Sequence, residues 1–166
     1  MTSRESSPAV DLTLMARVGI RQRREDDCGP AALASVLRYW GYSMSVGRLH
    51  DLCGRGARGS TLEGLYHAGR AVGARLVAVE INFPELAFVE LPCLVPLSGS
   101  RGLSHFVVVC QFTAESVTVW NPSVGIQTMH AVAFQAAWPT QYAICRQPDI
   151  AKVDRDHPSV VSGDHG

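Results

Sequence analysis

The sequence predicts an α+β domain in which N-terminal helices pack on a C-terminal antiparallel sheet. In the first half of the chain, apolar residues recur at helical spacing, whereas beyond Gly73 they form short runs that are typical of strands. Because the helices precede the strands instead of alternating with them, a doubly wound parallel sheet is disfavoured. A length of 166 residues suits one domain, and an apolar content of 46% rules out disorder for most of the chain.

Three helices are predicted in the first half. The clearest spans residues 28–40 and carries one apolar stripe, formed by Ala32, Leu33, Val36, Leu37 and Trp40. A shorter helix is predicted after Ser45. A third begins after Ser60 or Thr61, either of which suits an N-cap, and ends at Gly73.

Strand patterns dominate the second half. The predicted strands cover 75–81, 92–97, 105–112, 117–121, 126–129 and 141–146. The third and fourth of them form a hairpin around Thr113 and Ala114, and a helix is predicted over 132–138. Near the N-terminus, residues 14–20 are predicted as a short strand or an extended lead-in.

We expect three parts along the chain: a polar N-terminal tail over 1–12, a folded domain over 13–147 and a flexible tail over 148–166. No apolar run approaches the ~20 residues of a membrane-spanning helix, and the N-terminus lacks the apolar core of a signal peptide. Five scattered cysteines fit reduced thiols, so we expect a cytoplasmic protein. With 15 basic and 15 acidic residues, broad electrostatic binding to nucleic acid is disfavoured.

Cys28 is the first candidate for chemistry, because it opens the most clearly predicted helix. The positive end of the helix dipole and the free N–H groups there favour a thiolate, and Gly29 leaves room for other groups to approach the sulfur. Taken alone, a cysteine at this position also fits a small buried side chain.

A thiolate nucleophile needs a base and a group that orients the base. Of six histidines, His105 begins an apolar strand just after a loop, where an imidazole can be both rigid and exposed. If His105 pairs directly with Asn121 across the hairpin, the centre falls at Thr113 and both side chains share one face. Asn121 would then hold the ring toward Cys28. Taken singly, the two residues also fit an exposed strand-end histidine and a turn asparagine.

Gln22 is the fourth candidate, six residues before Cys28 in a charged loop. Attack on a carbonyl builds an oxyanion, which the Gln22 amide N–H and the Cys28 backbone N–H would stabilise. Taken alone, Gln22 fits an ordinary exposed glutamine.

No metal ion or cofactor is predicted. His50 and Cys53 are three residues apart and His67 follows, but no second close pair of ligands completes a zinc set. The GRGARG loop lacks the Lys-Ser/Thr that follows a phosphate-binding loop.

Together these residues resemble the C39 peptidases, the bacteriocin-processing, double-glycine leader peptidases with a papain-like fold. The string Q-R-R-E-D-D-C-G-P-A-A-L has the spacing of their cysteine motif, and SHFVVV is similar to their histidine motif. VWNP resembles their Asp-Pro motif, with Asn121 where Asp is usual. The resemblance covers roughly residues 14–146.

The resemblance implies a cysteine endopeptidase with four functional side chains. Cys28 would be the nucleophile, His105 the base and then the acid, Asn121 the orienting group and Gln22 the oxyanion donor. The implied substrate is a precursor peptide with an amphipathic leader, cut after Gly-Gly, Gly-Ala or Gly-Ser. The implied partner is an ATP-binding cassette exporter, which would bring the chain to the inner face of the membrane.

The substrate-binding residues are expected to be Gly29 and Trp120, beside a narrow channel that admits only small side chains. Two alternatives stay open: a non-proteolytic module that docks leader peptides for export, and a papain-like acyl or peptidyl transferase. The polar segment 148–166 favours a stand-alone peptidase over an excised exporter domain.

Overall fold

The computed structural model describes residues 9–53, 60–99 and 103–147, and within these ranges it contains five α-helices and six strands. The helices are α1 (Leu12–Val18), α2 (Cys28–Tyr39), α3 (Val46–Cys53), α4 (Leu62–Ala71) and α5 (Ala131–Ala137). The strands are β1 (Leu76–Glu80), β2 (Cys93–Ser98), β3 (Ser104–Phe112), β4 (Ser116–Asn121), β5 (Gly125–His130) and β6 (Tyr142–Arg146). A 3₁₀ helix spans Pro84–Phe88.

The six strands form one antiparallel sheet in the order β1-β6-β2-β3-β4-β5. The last strand, β6, lies between β1 and β2, so the first and last strands of the chain are neighbours in the sheet. The predicted α+β class is therefore confirmed, with four helices before the first strand.

Apolar side chains from both faces of the sheet form two cores. On one face, α2 is buried from Cys28 to Leu37 and packs with Phe106 and Val108 of β3. On the other face, Val107 and Val109 pack with Phe134 of α5. The alternation along β3 therefore places this strand in the middle of a helix–sheet–helix arrangement, with α2 directly against it.

Most predicted elements are confirmed to within a few residues at their ends, because their signals are local. Thr61 caps α4 by accepting a hydrogen bond from the Gly64 N–H at 3.0 Å. Gly41 and Gly73 follow α2 and α4 with φ of +97° and +93°, the left-handed conformation that ends a helix.

The prediction of a strand or extended lead-in over 14–20 is wrong, because α1 occupies Leu12–Val18. Asp11 caps it by accepting from the Leu14 N–H at 3.0 Å, and Met15 is completely buried. A helix of seven residues has fewer than two full turns, so its apolar period was too short to recognise.

The N-terminal boundary also differs from the expected tail over 1–12. Val10 is 8% exposed and belongs to the core, and Asp11 is the cap of α1, so the fold begins before residue 13. The rest of that tail, 1–8, and the predicted flexible segment 148–166 lie outside the described residues. Within the described ranges, no helix combines the length and the apolar character of a membrane span.

Candidate active site

Cys28 is the first residue of α2, and its side chain is 7% exposed. The backbone N–H groups of Gly29 and Phe106 make hydrogen bonds to its sulfur, and the Ser104 carbonyl oxygen lies 3.8 Å from Sγ. The start of the helix is thus packed against the start of β3. At Gly29 a side chain would meet Ser60 Cβ at 2.9 Å, so glycine allows the close approach of α2 to the segment that leads into α4.

His105 and Asn121 are joined by a hydrogen bond of 2.8 Å between Nε2 and Oδ1. The backbone N–H of Ser123 donates to the same Oδ1 at 2.9 Å, and Asn121 Nδ2 donates to Gln127 Oε1 at 2.8 Å. A peptide N–H can only donate, so the Asn121 atom that it meets must be the oxygen. His105 therefore carries a hydrogen on Nε2, and its Nδ1 is left for the hydrogen bond with Cys28.

A β-bulge at Cys110 brings the two side chains to one face of the sheet. Near the turn, Phe112 lies opposite Val117. If this register continued along the hairpin, the side chains of Asn121 and His105 would lie on opposite faces of the sheet. The register shifts by one residue between Val109 and Gln111, which returns Asn121 to the face of His105. The predicted shared face is confirmed, but the predicted direct pairing is wrong, because the shifted register offsets the two residues diagonally.

The pKa values of the pair are displaced toward each other. Burial raises the pKa of the Cys28 thiol, but hydrogen bonds from His105, Phe106 and Gly29 outweigh burial, so the net pKa is lowered. The hydrogen bond with Cys28 raises the pKa of His105, burial opposes it, and the bond to Asn121 raises it again. Both directions favour a thiolate beside an imidazolium, the reactive form of a cysteine nucleophile.

Gln22 is half-buried beside the turn that follows Asn121. Its Oε1 accepts from the Ser123 hydroxyl at 3.0 Å, and its Nε2 donates to the Arg24 carbonyl at 3.2 Å. Its backbone N–H donates to the Pro122 carbonyl at 2.9 Å. Gln22 is thus connected to Cys28, His105 and Asn121 through the 122–123 turn. The described contacts include no hydrogen bond between Gln22 and Cys28.

The segment that carries Gln22 is anchored by two buried side chains. The Ile20 N–H donates to the Ser35 hydroxyl at 2.8 Å, and Ser35 on α2 is completely buried. The Trp120 indole N–H donates to the Ile20 carbonyl at 3.2 Å. Trp120 is only 5% exposed, and its ring lies so close to Gly19 that a side chain there would clash. These contacts show Trp120 holding the 19–22 segment; its role in binding substrate stays a prediction, as does that of Gly29.

An open cleft of about 670 Å³ borders the Gln22 segment and α3. Its lining includes Asp26, Asp27 and His50, whose ligand atoms lie within 4.8 Å of one another. Within this cluster, His50 Nε2 lies 3.4 Å from Asp27 Oδ1. Cys53 and His67, considered from the sequence as further ligands, lie outside this cluster of described residues.

Sequence reasoning missed three residues that organise the site: Ser35, Ser123 and Gln127. Ser123 directly follows the Asn-Pro pair, and Gln127 lies on β5, two residues beyond the Gly125 that pairs with Asn121. The hairpin between β4 and β5 could have indicated Ser123 and Gln127, because antiparallel pairing brings residues on either side of a turn close to each other. Ser35 carried no signal beyond its place in the α2 pattern.

The chain is similar to known proteins in both sequence and fold. The peptidase C39 family model matches residues 17–150. The pediocin PA-1 transport/processing ATP-binding protein PedD of Pediococcus acidilactici is 31% identical over 130 residues, which are 76% of this chain and 18% of that protein. This chain therefore corresponds to less than a fifth of that relative's length.

Two solved structures share the fold. The peptidase domain of Streptococcus ComA, a bi-functional ABC transporter involved in a quorum-sensing pathway, matches with a TM-score of 0.71 at 27% identity, over 78% of this chain and 97% of that one. A double-glycine-motif protease from an AMS/PCAT transporter, solved with the leader peptide, matches with a TM-score of 0.68 at 23% identity, over 78% and 90%. With its papain-like α+β fold, this chain belongs to the C39 peptidase family and is a cysteine peptidase.

Proposed function

We propose that this chain cleaves the leader from a precursor peptide of the double-glycine type, with Cys28, His105, Asn121 and Gln22 as its catalytic residues. The observation that carries the proposal is the chain of hydrogen bonds from Cys28 through His105 to Asn121, with the pKa of the thiol lowered and that of the imidazole raised. The pediocin relative is named as a transport and processing protein, which supports a precursor peptide as substrate and an exporter as partner.

The first half of the reaction uses the thiolate and the imidazolium. The Cys28 sulfur attacks the carbonyl carbon of the scissile bond, and the electron pair of the C=O moves to the oxygen. The Cys28 backbone N–H and a Gln22 N–H stabilise this oxyanion. The C–N bond then breaks, and His105 gives its Nδ1 proton to the leaving amine, so a thioester and a free amino terminus result.

The second half regenerates the enzyme. Water attacks the thioester carbon while His105 Nδ1 accepts one of its protons, and the C–S bond breaks to release the leader as a carboxylic acid, which loses its remaining proton to solvent. The Cys28 thiolate and the His105 imidazolium are restored together. Asn121 keeps its bond to Nε2 throughout, which holds the ring so that Nδ1 serves both steps.

The burial of the nucleophile supports the choice of small residues before the cut. Because the Cys28 side chain is only 7% exposed and its helix start lies against Ser60, a substrate has little room beside the sulfur. Glycine or alanine fits such an opening in extended form, whereas larger side chains clash. Affinity would then come from an amphipathic leader that binds outside the channel.

The test of this function uses a synthetic precursor with a Gly-Gly leader, incubated with the protein and analysed by mass spectrometry. Hydrolysis gives two fragments whose masses sum to the precursor plus one water. Transfer of the leader to an added amine would favour the acyl transferase alternative. Leader binding without any cleavage would favour the docking module.

Gln22→Ala is expected to lower kcat by about 10²–10³-fold with a smaller change in KM, because one oxyanion donor is lost. Steady-state kinetics on the Gly-Gly precursor measures both constants. Gln22→Glu is the matched variant: it keeps the length of the side chain but replaces the donor with an anion. It should therefore be at least as impaired as Gln22→Ala. Weaker binding at unchanged kcat would instead make Gln22 a substrate contact.

Asn121→Ala is expected to move the alkaline limb of the kcat/KM profile to lower pH and to lower its maximum about 10- to 100-fold. The bond to Asn121 contributes to the raised pKa of His105, so its loss lets the imidazolium deprotonate at lower pH. Asn121→Asp should move the same limb upward, because a carboxylate favours the charged ring. Identical pH profiles in the three proteins would contradict an orienting role.

A further inference from the structure

Ser123 has three polar groups, and all three are engaged between the segments that carry the proposed catalytic residues. Its backbone N–H donates to Asn121 Oδ1 at 2.9 Å, and its hydroxyl donates to Gln22 Oε1 at 3.0 Å. Its carbonyl accepts from Arg21 Nη2 at 2.6 Å. One residue thus touches both side-chain amides that the proposed reaction needs in a fixed orientation.

A side-chain amide is useful in this reaction in only one of its two orientations. Gln22 must present Nε2 as a donor, and Asn121 must present Oδ1 to His105. The Arg24 carbonyl can only accept, so it selects Nε2 of Gln22, and the Ser123 hydroxyl then holds Oε1 at the opposite side of the amide. One hydrogen of Nε2 is used by Arg24, and the second is left for an oxyanion.

We propose that Ser123 is a positioning residue that fixes Gln22 through its hydroxyl and Asn121 through its backbone N–H. This inference rests on the roles proposed for those two residues. It assigns separate effects to two groups of one residue: the hydroxyl acts on oxyanion stabilisation, and the N–H acts on the orientation of His105.

The Ser123 side chain has no packing role that would confuse a test. It is exposed, next to Val124, whose side chain is 54% exposed. The turn itself is held by backbone bonds that a side-chain change leaves in place, from Gln22 N–H to the Pro122 carbonyl and from Val124 N–H to the Asn121 carbonyl. Removing the hydroxyl therefore removes one contact to Gln22 and little else.

The experiment is a double-mutant cycle between Ser123→Ala and Gln22→Ala, followed by cleavage of the Gly-Gly precursor. In the wild-type background, Ser123→Ala is expected to lower kcat about tenfold with KM within about twofold, since one hydrogen bond that orients the donor is lost. In the Gln22→Ala background the same change should have no further effect. Ser123→Thr keeps the hydroxyl and should restore most of kcat.

Two controls separate positioning from a structural effect. Val124→Ala changes the neighbouring exposed side chain and should leave kcat and the melting temperature unchanged. The alkaline limb of the pH profile should stay in place in Ser123→Ala, because the N–H that orients Asn121 is intact, whereas it moves in Asn121→Ala.

The outcomes distinguish this inference from the proposed function. An equal loss in both backgrounds, or a loss that follows a lower melting temperature, would overturn the positioning role. Wild-type kcat in Ser123→Ala together with a strong defect in Gln22→Ala would overturn it as well, while the oxyanion role stands. If Gln22→Ala itself leaves kcat unchanged, the assignment of Gln22 is overturned, and the inference about the Ser123 hydroxyl with it.

Discussion

Cys28→Ala is expected to abolish cleavage of a Gly-Gly precursor while the protein stays folded. Without the sulfur no thioester forms, and no other described group is held against His105 Nδ1 to replace it. The change removes one small atom group from the edge of the core, so the melting temperature should fall by only a few degrees. Mass spectrometry of the products and a thermal melt measure the two quantities.

Cys53→Ala is the matched control, because Cys53 is the partly exposed thiol among the other cysteines. Burial raises its pKa to about 11, and burial raises that of Cys110 to about 12, so neither is a thiolate near neutral pH. Cys53→Ala should therefore keep full activity. Iodoacetamide should label Cys28 fastest in the native protein; faster labelling of another cysteine, with loss of activity, would contradict the assignment.

Changing the Gly-Gly of the precursor to Val-Val is expected to abolish cleavage while leader binding persists. Two β-branched side chains must pass the opening to a sulfur that is only 7% exposed, and the packed start of α2 cannot widen without breaking its contact with Ser60. Cleavage is measured by mass spectrometry, and binding by displacement of a labelled leader from the Cys28→Ala protein, which cannot turn over.

The complementary substrate replaces the apolar anchors of the leader with alanine and keeps Gly-Gly. It should bind more weakly but be cut at the same bond, because the anchors lie outside the channel. A Gly-Ala precursor should be cleaved like Gly-Gly. If large-residue sites in denatured casein are cut as readily, the enzyme is a broad papain-like protease and the narrow opening does not select the substrate.

The fold was predictable from the sequence wherever the signal was local and long enough. The apolar stripe of α2 extends over three turns, and the strands stand out as short apolar runs bounded by turn residues, so both were recognised. The helix α1 escaped because its seven residues show too little of a period. The place of β6 between β1 and β2 escaped as well, since the order of strands depends on packing and not on the pattern within each strand.

The candidate site also has a part that the sequence predicted and a part that it did not. The sequence predicted a cysteine at a helix start and a histidine at a strand start, because the residues that begin a helix or a strand are neighbours in the chain. The pairing register of β3 and β4 could not be predicted from neighbouring residues. A simple hairpin count paired His105 directly with Asn121, whereas the bulge at Cys110 decides that they meet diagonally on one face.

The sequence by itself determined the class of the fold, the identity of the nucleophile and base candidates, and the resemblance that led to the C39 family. Only the tertiary structure decided how the amides are oriented and what carries Gln22 to the site. Those depend on Ser35, Trp120 and Ser123, which lie 13 to 101 residues from Gln22 and contact its segment through hydrogen bonds. A contact of this kind leaves no periodic trace in the sequence, because it joins single residues that are far apart in the chain.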